Sequence, residues 1–242
     1  MRWKTNHEER GDRASPVRAP APGTRAAMTE HIQFSFDPRC PWCFQTSRWA
    51  RALEEQGAVR LTWSVFCLEL NNFEGERKDF DPSTCKSGPA LRTSVVVREQ
   101  EGQAACGRFY GAIGQRYFYG LEDLTHADTV RAALVDAGLG PEHFDEAMTD
   151  MSSWDIVVRE HDLLDQEAGG FGVPSLRLDA GTGPCMFGPV IRDVPSDEEA
   201  VALLDHVVWL MRNENFYELK SGRTDYPDLP HIRRALAERR SG

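Results

Sequence analysis

The chain has 242 residues, 40% of them hydrophobic, enough to bury one sizeable core or one core carrying a large insertion. A net charge of -10 without any basic stripe argues against nucleic acid as the main partner. No stretch approaches the ~20 consecutive apolar residues of a membrane span, and the N-terminal stretch lacks a secretory apolar run, so the expectation is a cytoplasmic chain with no membrane partner.

Residues 1–27 are rich in Arg, Pro and Ala and have no apolar period, which predicts a disordered tail. Met28 directly precedes the first regular pattern, as it would after an extended or misassigned start. From His31 to Phe36 polar and apolar residues alternate with the period of a half-buried strand, and Asp37-Pro38 ends it. A helix is predicted to open at Pro41, with Phe44, Trp49 and Leu53 on its apolar side and Gly57 as its stop. Val59 to Val65 reads as a second strand.

From about 88 to 168 the patterns are helical and the turns carry Gly or Pro. Thr125-x-x-Asp128 and Ser152-x-x-Asp155 predict helix starts with reciprocal capping, and Pro141 opens a short helix between them. Gly138 and Gly169 stand where left-handed helix ends are expected. The stripes Val130, Leu134, Val135 and Ile156, Val157, Leu163, Leu164 each give one apolar face, hence a small bundle packed over a sheet.

Strand character returns from Val173 to Leu178, with Gly181-Thr182-Gly183 as a turn and Cys185-Met186-Phe187 as a partner strand. Ser196-x-x-Glu199 then caps a helix with apolar positions at Leu203, Leu204, Val207, Val208 and Met211. The predicted order is β-α-β, helical insertion, β-β-α, an α/β fold. The parts are a domain built from 28–66 and 171–226, an inserted helical domain at 67–170, and a C-terminal extension at 227–242.

Six cysteines stand at 40, 43, 67, 85, 106 and 185, too widely and irregularly spaced for a disulfide framework. The last four read most simply as small buried hydrophobes. Cys40-Pro41-Trp42-Cys43 is different, because it follows a strand and opens a helix, with Pro41 where its missing N–H and fixed φ cost nothing. In that position the sulfur of Cys40 faces unpaired backbone N–H groups and the positive helix end, which favour thiolate over thiol. Cys43, one turn deeper, is placed to attack that sulfur.

The expected cycle is attack by Cys40 on an electrophilic partner, formation of a mixed disulfide, displacement by Cys43, and recovery by an external thiol. Two other readings of the pair are a zinc knuckle and an inert buried pair. A closed zinc site needs two further ligands at matching spacing, and the sequence offers none, so no metal is expected. Trp42, expected to be exposed, lies with Phe44 and Trp49 within two turns of Cys40. Phe44 and Trp49 read first as core and second as walls of an aromatic pocket. Gly172-Val173-Pro174 begins the late strand; a cis bond there would let the Val173 backbone pair with an extended partner beside Cys40. The candidate catalytic residues are Cys40, Cys43 and Pro174, and the candidate substrate contacts are Pro41, Trp42, Phe44 and Val173.

These motifs resemble those of DsbA-like thioredoxin-fold proteins, and more closely those of actinobacterial mycothiol-dependent nitroreductases. The matching stretches are Phe34-Ser35-Phe36-Asp37-Pro38-Arg39-Cys40-Pro41-Trp42-Cys43, Ser47-Arg48-Trp49, Gly172-Val173-Pro174, Phe187-Gly188-Pro189-Val190 and Phe216-Tyr217-Glu218-Leu219-Lys220. The resemblance implies a thioredoxin fold with a helical insertion, a nucleophilic Cys40, a resolving Cys43, a cis Pro174, and mycothiol or another low-molecular-weight thiol as co-substrate. It also implies reduction of small electrophilic or nitroaromatic compounds, with no tightly bound cofactor. The chain departs from the pattern at Phe44, where Trp is usual, at Val173, where Thr is usual, and in the extra thiols Cys67 and Cys185. Two rival readings are a protein disulfide oxidase or isomerase and a non-catalytic redox-switched binding protein. Monomer and homodimer both stay open.

Overall fold

The computed structural model describes residues 29–167, 169 and 171–241, so the tail predicted over 1–27 lies outside the described residues. Strand β1 (Glu30–Phe36) pairs in parallel with β2 (Val59–Val65), and a parallel pair needs a crossover, here helix α1 (Pro41–Glu55). The chain then runs through α2 (Leu68–Asn71), two single 3-10 turns, α3 (Gly88–Glu101), α4 (Gln103–Phe118), α5 (Ala127–Asp136), α6 (Glu142–Thr149) and α7 (Ser152–Glu167). It returns to the sheet as β3 (Ser175–Arg177) and β4 (Cys185–Phe187), followed by α8 (Asp197–Met211) and α9 (Pro230–Ser241). The strand order is β2-β1-β3-β4, with β3 antiparallel to both neighbours.

The predicted order of elements is the observed one. The late strand is shorter than its apolar run, since only Ser175–Arg177 of the predicted Val173 to Leu178 pairs as strand. Among the described residues no helix is long and apolar enough to cross a membrane.

One core runs from the sheet into the helices. Ile32, Phe34 and Phe36 of β1 and Phe44, Trp49 and Leu53 of α1 are all buried, as their spacing predicted. Phe36 stacks on Tyr110 of α4 at 3.9 Å between ring centroids, and Phe44 stacks on Phe118 at 4.9 Å. Two glycines let α4 come this close. A Cβ at Gly107 would lie 2.6 Å from the Trp63 indole nitrogen, and one at Gly114 would overlap the Phe44 ring.

Two predicted helix caps are corrected. Helix α5 starts after His126, because Asp123 Oδ1 takes both the N–H and the hydroxyl of Thr125 at 2.9 Å and holds it in the preceding turn. At α7 the Asp150 carboxylate accepts the Ser152 N–H at 2.8 Å, so Asp150 does the capping that had been expected of Ser152. Val135 and Leu163 also leave their predicted faces and point outward, at 60% and 52% exposure, one position round the helix from the buried Leu134 and Leu164. The Ser196–Glu199 capping box and the left-handed Gly57, Gly138 and Gly169 stand where predicted.

The outer edge of β2 is closed by side chains. Its outward N–H groups at Leu61, Trp63 and Val65 donate to Glu54 of α1 (2.8 Å), Gln103 of α4 (2.6 Å) and Glu160 of α7 (2.9 Å). Glu160 also accepts from Ser64 and is gripped by both terminal nitrogens of Arg98 on α3 (2.5 and 2.9 Å).

Candidate functional site

The site begins where β1 stops. Asp37 folds the chain back: its carbonyl accepts the Cys40 N–H at 3.0 Å and its carboxylate accepts the Arg39 N–H at 2.7 Å. This turn sets Cys40 as the N-cap of α1 with Pro41 in the first helical turn. The Cys40 sulfur accepts the Cys43 N–H at 3.3 Å, one of the donors a helix start leaves unpaired. An anionic sulfur would be held at the same point by the same N–H and by the helix end.

Cys40 Sγ lies 3.7 Å from the Val173 carbonyl, so the late strand reaches the helix start across 133 residues of sequence. The Val173–Pro174 bond is cis. Cys43 is completely buried, and Cys40 retains only 5% exposure. Burial, together with its hydrogen bond and electrostatic interaction with Cys40, pushes the Cys43 thiol well above its ordinary range. The pair is therefore asymmetric, with a sulfur at the helix end in front and a protonated thiol behind.

Asp37 is the second feature of the site. It is fully buried, and burial raises its carboxyl from the ordinary 3.8 to about 6. Three donors oppose that rise: the N–H of Leu68 at 2.9 Å, the N–H of Arg39 and the hydroxyl of Ser87 at 3.1 Å, helped by the Arg39 charge. The Asp37 charge in turn is one of the influences that raise the Cys43 thiol, so the two groups are electrostatically coupled. Arg39 is tied down by Glu69 at 2.7 Å.

Trp42 and Pro41 are half-buried, where Trp42 was expected to be exposed. The reason is the segment between α8 and α9, which crosses the motif: Tyr226 lies 6.0 Å from the Trp42 ring, and the Arg223 guanidinium sits 5.2 Å over it and 6.0 Å from Phe187. Val173 is nearly buried beside Cys40. Phe44 departs from the pocket reading, since its ring is 1% exposed and stacked on Phe118, leaving no free face for a ligand. Sequence reasoning took Asp37 as a strand stop, and it passed over Arg223 and Tyr226. An acid between an apolar strand and the cysteine pair was a usable signal for the first. The other two sit in a stretch without period.

A family model described as Rv2466c-like, mycothiol-dependent nitroreductase Rv2466c, matches residues 39–221. A Mycobacterium tuberculosis protein called uncharacterized protein Rv2286c is 32% identical over 191 residues, covering 78% of this chain and 80% of that protein. Among solved structures, the cytosolic disulfide reductase DsbM of Pseudomonas aeruginosa is similar with a TM-score of 0.54 at 15% identity, over 74% of this chain and 99% of DsbM. The structure of DsbM with GSH gives 0.53 at 15% identity, over 74% and 100%. At such identity the likeness speaks for the fold, a thioredoxin-type α/β sheet with added helices.

Proposed function

The chain belongs to the Rv2466c-like family of mycothiol-dependent nitroreductases and is an oxidoreductase, and from that premise we propose that its working group is the Cys40–Cys43 dithiol, recycled by mycothiol. The observation that carries this reading is the sulfur of Cys40 at the start of α1, bonded to the Cys43 N–H and facing the Val173 carbonyl, with a protonated Cys43 behind it.

In the proposed cycle Cys40 attacks a disulfide or other small electrophile, forming a Cys40–sulfur bond as the first leaving thiolate departs. Cys43 then passes its proton to Asp37, whose carboxyl near 6 is largely ionised at neutral pH, and attacks Cys40. The second thiolate leaves and a Cys40–Cys43 disulfide remains. Two molecules of thiol reopen it by exchange and leave as their own disulfide. For a nitroaromatic acceptor the same dithiol supplies two electrons and two protons, taking the nitro group to nitroso with release of water. Trp42 offers a planar contact to such a ring, and Val173 offers its backbone to the bound partner. A small thiol as co-substrate is supported by the family description and by the solution of the similar DsbM with GSH. The reading suits a reducing compartment such as the cytoplasm.

The test is turnover of a mycothiol mixed disulfide, and separately of a nitroaromatic compound, with mycothiol and its reductase supplied. Cys40→Ser is expected to lower the rate by at least ~100-fold, and Cys43→Ser to accumulate a covalent thiol adduct on Cys40. Unchanged turnover in Cys40→Ser would sink the proposal. Turnover of protein disulfides in preference to small ones would favour an oxidase or isomerase instead.

A further inference from the structure

A second pair of sulfurs lies outside the motif. Cys67 Sγ and Cys85 Sγ are 3.4 Å apart, although 18 residues separate them in sequence. A disulfide bond is about 2.05 Å long, so closing this pair needs an approach of roughly 1.4 Å. We propose that Cys67 and Cys85 form a second redox dithiol, oxidised to a disulfide by hydroperoxides and reopened by low-molecular-weight thiols.

Both sulfurs sit at the margin of the hydrophobic core, yet each also has polar partners. Cys67 Sγ accepts the Leu70 N–H at 3.4 Å, repeating the arrangement of Cys40 with the Cys43 N–H, a sulfur receiving the N–H three residues on. Cys85 lies 3.1 Å from Glu69 Oε2 and 3.6 Å from the Ser87 hydroxyl. Its contact with Cys67, followed by burial, holds the Cys85 thiol well above its ordinary range, so Cys85 keeps its proton, which it donates to Glu69. The pair thus has the same division into an accepting and a protonated sulfur as Cys40 and Cys43.

Both sulfurs are buried, at 0% and 4% exposure, yet Cys85 stands between the exposed Thr84 and Lys86 in a largely exposed loop. A small shift there admits a molecule the size of hydrogen peroxide. The Cys67 sulfur attacks the O–O bond, which breaks as the S–O bond forms, and the Cys67 proton goes to the departing oxygen, giving a sulfenic acid and one water or alcohol. Cys85 then attacks the oxidised sulfur, and hydroxide leaves with the Cys85 proton as a second water; Glu69 is placed to carry that proton. In sum two thiols and one hydrogen peroxide give one disulfide and two waters, and an organic hydroperoxide gives one water and one alcohol in their place. Two external thiols reverse the step and leave joined as their own disulfide. The neighbours of both cysteines hold the carboxylate of the motif, Leu68 through its N–H and Ser87 through its hydroxyl, so the second pair adjoins the first site through Asp37.

The test uses Cys40→Ser/Cys43→Ser protein treated with hydrogen peroxide under native conditions, then alkylated and digested with trypsin. Peptides 61–77 and 79–86 are expected to appear joined, two thiols of the remaining four to be lost, and a low-molecular-weight thiol to restore both. Wild-type protein should lose four thiols and show the same joined peptides, which guards against misfolding of the double variant. In Cys85→Ser the oxidation should stop at a Cys67 sulfenic acid captured by dimedone. The proposal is overturned if the two peptides stay separate in both proteins, if they join only in denaturant, or if Cys85→Ser gives no dimedone adduct.

Discussion

At the scale of single residues, Asp37 couples stability to pH. Its carboxyl binds protons more tightly folded, near 6, than at its ordinary 3.8, so the stability it contributes is fully present below about 3.8 and is lost as pH rises through about 6. The gap corresponds to ~3 kcal/mol. The difference in unfolding free energy between wild type and Asp37→Asn is therefore expected to shift by roughly 2.4 kcal/mol in favour of the variant between pH 4 and pH 7, as read from denaturant unfolding at each pH. A pH-independent difference would show that the carboxyl titrates normally. In the proposed cycle the same variant should slow attack by Cys43 about 10- to 100-fold while sparing the first attack by Cys40, as judged by the accumulation of mixed disulfide. Cys40 and Cys43 were legible in the sequence because everything that places them is local: a strand, a turn and a proline that opens a helix. Asp37 was half legible, since its position is local but its burial comes from Leu68 and Ser87, far along the chain.

At the scale of elements, α4 approaches β2 and α1 only because Gly107 and Gly114 have no side chains. Gly114→Ala is expected to cost ~1–3 kcal/mol, despite the helix propensity of alanine, because the Phe44 ring must move within a filled core. Chemical denaturation measures the loss, and stabilisation instead would show that the ring has room. The segment after α8 carries a separate expectation. Arg223→Ala removes the guanidinium over Trp42 and should alter the KM for a planar substrate more than kcat, measured by steady-state kinetics. These contacts were illegible because neither Arg223 nor Tyr226 belongs to a periodic pattern. The caps at Thr125 and Ser152 were misread for a different reason. Each follows an aspartate two residues upstream, and that carboxylate reaches the local backbone N–H first. Val135 and Leu163 show the limit of stripe reading, since adjacent apolar residues fit one helical period almost equally well.

At the scale of the molecule, the sheet and the helices between β2 and β3 share one core, so they are expected to unfold together. Far-UV and near-UV signals should give coincident denaturation curves; two separated transitions would show that the helices form an independent unit. Glu160→Ala tests the join from the other side. It leaves Arg98 largely buried without its partner and strips the acceptor from the Val65 N–H and Ser64, at an expected cost of ~3–5 kcal/mol. The order of elements was legible because the strand and helix periods are clear in the sequence. That the two parts make one core was not, because it depends on which rings meet.

The three acceptors along β2 have a consequence for the life of the chain before it is fully folded. Glu54, Gln103 and Glu160 occupy the N–H groups that an invading strand would use, so the finished sheet offers no template for growth on that side. Two of the three arrive on helices made later in the chain. Until α4 and α7 dock, β2 is an open edge of β-branched and aromatic residues, prone to pair with the same edge on another copy. Protection against aggregation is thus a late event in the assembly of this protein, completed by the helices and not by the sheet itself.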